Sequence, residues 1–267
     1  GNGQEGASLQ QPVYAAAQRT DGAMHLSTRD GFVLRITDDG KVERLSVPVT
    51  SDFAPAVYRS QIILDRRFLV LSAREGILSA SDPREPGANW ATTTGASFIA
   101  APRIVGERVL AVRSDGTLIA CQVDRGLVLA SIPLNEEAVA AWPTKTGISG
   151  FTRKRAFSWD GVAAPVLSDL PREIIAGNDG LLVSRDRQVL LHDGEEWKIA
   201  GAISGRVNGV PVRWGDAAAI PEGGTLEVIG SGGFRLTSDG AFMNPVVADG
   251  RLVIVTSDGT VRFYDPR

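Results

Sequence analysis

The residue types that most often carry chemistry are few in this chain and far apart. It has two histidines, His25 and His192, and one cysteine, Cys121. A metal site built on histidine would need both of them together with carboxylates, so we interpret each as an ordinary strand or turn residue. No serine has the Gly-x-Ser-x-Gly context of a nucleophile elbow, and the segment 147–150 misses it by one position. The sequence therefore predicts no catalytic centre and no metal site.

Several other polar patterns are explained by turns. The run Gly230-Ser231-Gly232-Gly233 resembles an anion-binding loop, but no helix follows it to supply a dipole, so a hairpin turn is predicted. The basic run Arg153-Lys154-Arg155 is predicted to be a solvated loop, with a partner-binding patch as the alternative. The recurrent acidic residues fall at predicted turns, where aspartate caps its own backbone. They are Asp30, Glu75, Asp115, Asp179, Asp239, Asp249 and Asp258.

Composition excludes several classes of protein. With 43% hydrophobic residues the 267-residue chain is too apolar to be disordered, and it has no apolar run long enough to span a membrane. A formal charge of −3 gives no overall attraction for nucleic acid or anionic lipid. One cysteine excludes an intramolecular disulfide. The chain begins at Gly1 without methionine, which we interpret as a processed or trimmed N-terminus.

The elements that must position these residues repeat along the chain. The last copy is opened by Pro245 and continues through an Asp-Gly turn, the apolar strand Arg251–Thr256, a second Asp-Gly turn and a third strand. The same unit begins at Pro102, with Ser114-Asp115-Gly116-Thr117 as its second turn. Asp-Gly between apolar runs predicts a hairpin, because glycine reaches positive φ without steric cost. Copies begin near residues 12, 55, 102, 143, 175, 211 and 245, a period of roughly 39 residues that is typical of a propeller blade.

Seven copies predict an all-β fold, a seven-bladed β-propeller of four-stranded antiparallel meanders that forms one domain over residues 1–267. Strands rich in Val, Ile and Leu make a meander that is apolar on both faces, so the copies must stack. The last copy ends near Asp265 after three strands, whereas the first copy already has four, ending with Val42–Leu45. We therefore expect residues 1–11 to join the last blade, with a strand around Ala7–Gln10. Pairing of the N- and C-terminal strands would then close the ring.

Tryptophan and arginine are favoured at binding surfaces, and some of them flank prolines that open copies, near the innermost strand of a propeller blade. These candidate binding residues, with one asparagine, are Trp142, Trp214, Arg103, Arg213 and Asn244. We predict that a protein or peptide binds there, at one mouth of the central channel. The alternative is that these side chains line a water-filled channel or pack beneath loops.

The ends of some copies resemble a known repeat. The segments Ser79–Trp90 and Ala120–Gly126 are similar to the Ala-x-Asp-x-x-Thr-Gly-x-x-x-Trp pattern of the pyrroloquinoline-quinone-type repeat, found in the quinoprotein dehydrogenase-like superfamily. The resemblance puts Trp90 and Trp197 at the tryptophan position of the repeat and implies that both pack between blades. Trp159, at the end of a third strand, is also interpreted as structural.

The departures from this family exclude its best-known activity. Quinone-dependent members stack their cofactor beside a disulfide between adjacent cysteines and bind calcium. Cys121 is alone, and no run of Asp, Asn and Glu has the spacing of a calcium loop. No cofactor is therefore expected. The resemblance instead implies a short non-enzymatic member, similar to the outer-membrane assembly scaffold lipoproteins.

These observations together predict a non-enzymatic binding or scaffold propeller. We expect a monomer that is exported to the periplasm, the cell envelope or the medium, and that binds a protein or peptide but no nucleic acid. One alternative is a hydrolase or lyase with its site in the central funnel, where several carboxylates would converge. The other is a carbohydrate-binding propeller, although the copies share no repeated aromatic and polar pair.

Overall fold

The computed structural model describes most of the chain. The described residues are 4–8, 13–20, 23–28, 33–37, 39–45, 61–63, 70–74, 76–81, 90–100, 102–230, 232–242, 245–248 and 250–265. They contain strands, turns and bends but no helix, so the predicted all-β class is confirmed for this part of the chain. No membrane-spanning helix is found among them.

The described strands form seven four-stranded antiparallel sheets, numbered I to VII. Sheets I to IV follow in chain order. Sheet I contains β2 (Val13–Thr20), β3 (Ala23–Thr28), β4 (Val33–Ile36) and β5 (Val42–Leu45). Sheet II contains β6 (Gln61–Ile63), β7 (Val70–Arg74), β8 (Ile77–Ser81) and β9 (Trp90–Thr93). Sheet III contains β10 (Arg103–Val105), β11 (Arg108–Val112), β12 (Thr117–Gln122) and β13 (Val128–Pro133), and sheet IV contains β14 (Ala138–Pro143), β15 (Ile148–Thr152), β16 (Arg155–Trp159) and β17 (Val166–Asp169).

The last three sheets include both ends of the described chain. Sheet V contains β18 (Ile174–Asn178), β19 (Leu181–Ser184), β20 (Gln188–His192) and β21 (Trp197–Ala202). Sheet VI contains β22 (Val212–Trp214), β23 (Ala217–Pro221), β24 (Thr225–Ile229) and β25 (Phe234–Thr237). Sheet VII contains β26 (Val246–Ala248), β27 (Arg251–Val255), β28 (Thr260–Tyr264) and, as its outer strand, β1 (Gln4–Ser8).

The predicted pairing of the two ends of the chain is present in sheet VII. Strand β1 lies antiparallel to β28, with Ala7 opposite Val261 and Ser8 opposite Thr260. The expected strand around Ala7–Gln10 therefore begins and ends earlier in the chain, and its register shifts between Glu5 and Ala7. Without β1, the backbone groups of β28 would be an open edge.

Contacts divide the chain into two compact units. The central unit is Gln18–Leu170, and the terminal unit is Gly1–Ala17 together with Pro171–Arg267. Sheets II, III and IV lie in the central unit, and sheets V, VI and VII lie in the terminal unit. Each unit is described by itself below.

The core of the central unit lies between stacked sheets. In sheet III, Val109 and Ala111 on β11 pack toward Leu78 of sheet II, while the alternate residue Leu110 packs toward Phe157 of sheet IV. Successive side chains of a strand point to opposite faces, so a sheet between two others must be apolar at every position. The continuous apolar runs of the sequence are explained by this burial on both faces.

The terminal unit repeats the same arrangement. In sheet VI, Ala218 and Ile220 pack against sheet V, whereas Ala217 and Ala219 pack with Leu252 of sheet VII. All of these side chains are buried. The prediction that copies stack through both faces therefore holds for sheet VI, which packs against sheets V and VII.

Prolines open three of the sheets as predicted, and a fourth proline contradicts the prediction. Pro102, Pro211 and Pro245 each precede the first strand of their sheet by one residue. In sheet IV the first strand is β14, which begins at Ala138 and ends at Pro143. The predicted copy start near 143 is therefore wrong, because the strand forms earlier, from the alternating Ala-Val-Ala-Ala-Trp run. The expected starts near 12 and 55 fall on residues outside those described.

Candidate binding surface

The candidate binding residues of the sequence fall in different units. Arg213 and Trp214 lie on β22 in the terminal unit, and Arg103 and Trp142 lie on β10 and β14 in the central unit. Asn244 lies outside the described residues. Only Arg213 and Trp214 are therefore shown side by side on one strand.

Arg213 is held by hydrogen bonds at both ends of its guanidinium group. Its Nε donates to the carbonyl of Gly215 at 2.9 Å, and its Nη1 donates to the carbonyl of His192 in sheet V. The side chain passes over Gly180, where a Cβ atom would stand 2.9 Å from Nη1. Glycine at 180 thus makes room for the arginine, which connects sheet VI to sheet V.

Trp214 connects sheet VI to sheet VII in the same way. Its indole Nε1 donates to the carbonyl of Gly250 at 2.7 Å, and its ring meets the edge of Phe234 at a centroid distance of 6.5 Å. The side chain remains half-buried, so part of the indole is open to solvent. A tryptophan with a fixed ring loses little conformational freedom when a partner binds to it.

Two acidic residues complete this surface. Asp179 lies next to Gly180 in the turn between β18 and β19, and Asp216 follows Gly215 in the turn between β22 and β23. Both are exposed, and neither carboxylate has a hydrogen bond or ion pair within the described part of the chain. We name the group Asp179, Arg213, Trp214 and Asp216 the mouth cluster. It contains an indole, a guanidinium held by two backbone carbonyls, and two exposed carboxylates without a partner in the described part of the chain.

The sequence indicated only half of this cluster. Asp179 was expected merely as a turn residue, and Asp216 had no predicted role. Arg213 and Trp214 were found because they follow Pro211 and belong to residue types that binding surfaces favour. The two-residue turns Asp179-Gly180 and Gly215-Asp216 are visible in the sequence, but the nearness of Asp179-Gly180 to Arg213 requires the packing of sheet VI against sheet V.

The candidates in the central unit, Trp142 and Arg103, are half-buried like Arg213 and Trp214. The ring of Trp142 packs on Phe151 at a centroid distance of 4.7 Å and an angle of 58° between planes. Arg103 is half-buried, and its Nε is buried without a hydrogen bond. The two residues stand on the first strands of sheets III and IV, at the beginning of β10 and near the end of β14.

An open groove of about 520 Å³ lies elsewhere in the central unit, lined by Ser114, Asp115 and residues 135–138. Its acidic residues are paired. Arg113 pairs with Asp115, Arg155 with Glu136 at 3.0 Å, and Arg153 with Glu137 at 2.8 Å. The run 153–155 was predicted to be a solvated loop, and Arg153 and Lys154 do form the exposed turn between β15 and β16, while Arg155 begins β16. Through these ion pairs Arg153 and Arg155 also contact the segment that leads into sheet IV. Because the carboxylates of this groove are already paired with arginines, fewer of its charges are available to bind a ligand than in the mouth cluster.

His192 and Cys121 occupy structural positions. His192 accepts a hydrogen bond from the Gly194 N–H at Nδ1 (3.1 Å), and its ring meets Trp197 edge-on at 4.9 Å. Cys121 is buried between sheets II and III, and burial raises the pKa of its thiol to about 11, so the reactive thiolate is rare at neutral pH. The described residues include no group of three or more His, Cys, Asp and Glu side chains able to hold a metal ion.

Trp90, one of the two tryptophans expected to pack between copies, contacts the neighbouring sheet III. Its Nε1 donates to the carbonyl of Val123 in sheet III at 2.7 Å, and its ring lies over Gly126. Trp197 contacts His192 within its own sheet. Trp159 ends β16 and donates to the carbonyl of Ala163 at 2.9 Å.

Comparison with known proteins identifies the fold. No protein-family profile matches the chain, and no curated protein sequence matches it. The structure is similar to that of BamB from Moraxella catarrhalis, with a TM-score of 0.63, 14% identity, and coverage of 99% of this chain and 100% of that chain. It is also similar to the computationally designed Ika8 protein (TM-score 0.63, 13% identity, 99% and 100% coverage) and to the WD40 β-propeller domain of Doa1 (TM-score 0.63, 13% identity, 100% and 97% coverage). The fold is therefore a β-propeller; the pyrroloquinoline-quinone-type family is not shown by these similarities.

Proposed function

We propose that this protein is a non-enzymatic scaffold propeller that binds a protein or peptide through the mouth cluster. One observation carries the proposal: Arg213 and Trp214 are fixed by neighbouring sheets, and the turns beside them carry Asp179 and Asp216, whose carboxylates have no partner in the described chain. A fixed aromatic ring with charges at its rim is the usual composition of a binding hot spot. The unpaired carboxylates favour a partner that presents lysine or arginine.

The proposal includes the arrangement and location of the whole molecule. We expect sheets I to VII to form one domain closed as a seven-bladed ring, with β1 in the last blade as the closing strand. Such a ring has a central channel lined by its first strands, and β22 is a first strand. The resemblance to envelope scaffolds supports an exported protein that acts as a monomer.

The proposal is tested by capturing partners from an extract of cells that encode this protein. Immobilised wild-type chain is compared with Trp214→Ala and with the double variant Asp179→Asn/Asp216→Asn. We expect one or more proteins to be retained by the wild type and to bind at least about tenfold more weakly to Trp214→Ala, because truncating a hot-spot tryptophan removes 2 kcal/mol or more. The double variant should weaken binding more at low salt than at high salt.

The matched control is Glu107→Gln, which removes an exposed turn carboxylate at the equivalent turn of sheet III. It should retain the same proteins as the wild type. Equal capture by the wild type and both mouth-cluster variants would refute the proposed site. Turnover of a substrate by the purified chain, abolished by changes in the mouth cluster, would favour the hydrolase or lyase alternative.

A further inference from the structure

The outer strand of sheet IV differs from the other outer strands whose side chains are described. All four residues of β17, Val166–Asp169, are exposed, with 71% of Val166 and 39% of Leu167 accessible. Strands β9, β13, β21 and β25 each have residues that are at least half-buried. Both faces of β17 are therefore open to solvent, in addition to its free edge.

Charged residues within the strand, proline and β-bulges protect sheet edges from pairing. Strand β13 has a register shift and ends at Pro133, β21 has a register shift and contains Lys198, and β25 contains Arg235, whereas β9 pairs regularly and has none of these features. Strand β17 has no proline within it, although Pro165 precedes it and Pro171 follows two residues after its end. The pairing of β17 with β16 is regular, and its one charged residue is the last. Val162, in the loop just before the strand, adds a further apolar side chain that is 67% exposed.

The hydrogen-bond pattern shows which backbone groups are available. The N–H of Leu170 donates to the carbonyl of Lys154 at 2.8 Å, just beyond the last pair of the β16–β17 ladder. Residues of an antiparallel strand turn their N–H and C=O groups alternately toward and away from the partner strand. Ser168 therefore faces β16, and the N–H and C=O groups of Leu167 and Asp169 point outward.

The side chains of β17 determine which peptide sequences can pair with its outward backbone groups. The Asp169 carboxylate is exposed and has no hydrogen bond or ion pair within the described chain, whereas Asp160 uses its carboxylate to accept the N–H groups of Val162 and Ala163. A strand added beside β17 would place apolar side chains next to Val166 and Leu167. It would place a basic side chain next to Asp169, because opposite charges on neighbouring strands attract.

We propose that β17 is a second docking site, which binds an extended peptide segment of another protein by adding it as a fifth strand to sheet IV. The segment has two adjacent apolar residues, separated by one residue from a lysine or arginine on either side. Main-chain hydrogen bonds supply the affinity and the neighbouring side chains supply the specificity. A second copy of this chain fits less well, because antiparallel pairing of two β17 strands about Ser168 leaves both Asp169 carboxylates without a basic partner.

The test is selection of a displayed library of random twelve-residue peptides on the full chain. Peptides that bear two adjacent apolar residues separated by one residue from lysine or arginine should be enriched. Leu167→Pro should weaken their binding about tenfold, because it removes one outward N–H and the pairing that depends on it. The ladder with β16 should survive, since proline is tolerated where the lost N–H faces solvent.

Two further variants make the result decisive. Thr237→Pro is the matched control, because Thr237 lies on the outer strand β25 and Ser238 N–H donates inward to Gly224, so that the N–H of Thr237 also points outward. It should leave peptide binding unchanged. Asp169→Lys keeps the backbone intact and should shift the enriched peptides from basic to acidic ones.

Three results would overturn the proposal. Recovery of no peptides above the bare support would exclude a peptide site, and recovered peptides that bind equally to Leu167→Pro and Asp169→Lys would place the site elsewhere. A wild-type dimer that becomes monomeric on Leu167→Pro in sedimentation would assign the edge to a second copy. Variants of Trp214 should not change which peptides are enriched. The peptide selection therefore tests the site at β17 separately from the binding site proposed at the mouth cluster.

Discussion

At the residue scale, some glycines lie where one sheet packs closely against the next. Gly126 has φ of +66°, and a Cβ atom there would stand 2.3 Å from Cε3 of Trp90. Gly106 has a similar φ of +59°, but nothing lies within 4 Å of its Cβ position. The first glycine is needed for both its backbone conformation and its lack of a side chain, and the second for its conformation alone.

The two glycines give a matched pair of substitutions. Gly106→Ala should lower the free energy of unfolding by about 1 kcal/mol, because alanine is strained in the left-handed region. Gly126→Ala should cost roughly 1–3 kcal/mol more, because the new methyl group displaces the Trp90 ring and its bond to Val123. Denaturant unfolding of both variants measures the difference. Equal losses would mean that Trp90 does not dock on Gly126.

At the element scale, the outer strand of sheet VII comes from the opposite end of the chain. Strand β1 pairs with β28 through four residues, and β28 also pairs with β27. Its five residues cannot fold alone and are stabilised only by the edge that they cover. Sheet VII therefore depends on a long-range contact that no local sequence signal specifies.

Deletion of residues 1–8 should lower the free energy of unfolding by about 4 kcal/mol, at about 1 kcal/mol for each of roughly four backbone hydrogen bonds. The melting temperature should fall by roughly 10 °C, and the exposed edge of β28 should cause association in size-exclusion chromatography. Adding a synthetic peptide of residues 1–11 should restore both properties, whereas a scrambled peptide should not. A truncated chain as stable as the full chain would show that β1 contributes nothing.

At the scale of the whole molecule, carboxylates in turns of both units have lowered pKa values for the same reason, hydrogen bonds to the ionised group. A hydrogen bond from the Thr256 hydroxyl and, to a smaller extent, one from the Thr260 N–H lower the pKa of Asp258. A hydrogen bond from the Ser184 hydroxyl lowers the pKa of Asp186. The N–H of Val162 lowers the pKa of Asp160 in the central unit. In each turn the hydrogen bonds favour the ionised carboxylate. Protonation of these carboxylates in acid should therefore weaken all of these turns.

These lowered pKa values predict acid sensitivity. A carboxyl group whose folded pKa lies below its unfolded value stabilises the fold above about pH 4, and that contribution disappears as the pH falls through the folded value. Melting temperature should therefore decrease below about pH 4. Asp258→Asn should be less stable than the wild type at neutral pH, and the difference should shrink in acid. A difference that stays constant down to strongly acidic pH would refute the role of the ionised carboxylate.

Much of the architecture was predictable because its signals are local. The Asp-Gly turns at Asp115 and Asp258 and the prolines at 102, 211 and 245 mark strand boundaries through backbone geometry that depends on single residues. The fourth sheet was the exception, since Trp142-Pro143 looks like an opening pair and the alternation beginning at Ala138 gave the weaker signal. The mouth cluster was predictable only in part, because turn aspartates look alike in sequence whether or not a partner pairs with them.

The amino-acid sequence by itself determined many of the described strands and turns and the number of copies, since these depend on side-chain alternation and on which residues tolerate positive φ. The tertiary structure decided which residues meet across sheets. It placed Arg213 on Gly180 and His192, and it left Asp179, Asp216 and Asp169 without partners in the described chain. It also left β17 exposed on both faces. Contacts of this kind join residues that are distant in the chain, and their energies depend on burial and geometry that no local pattern contains.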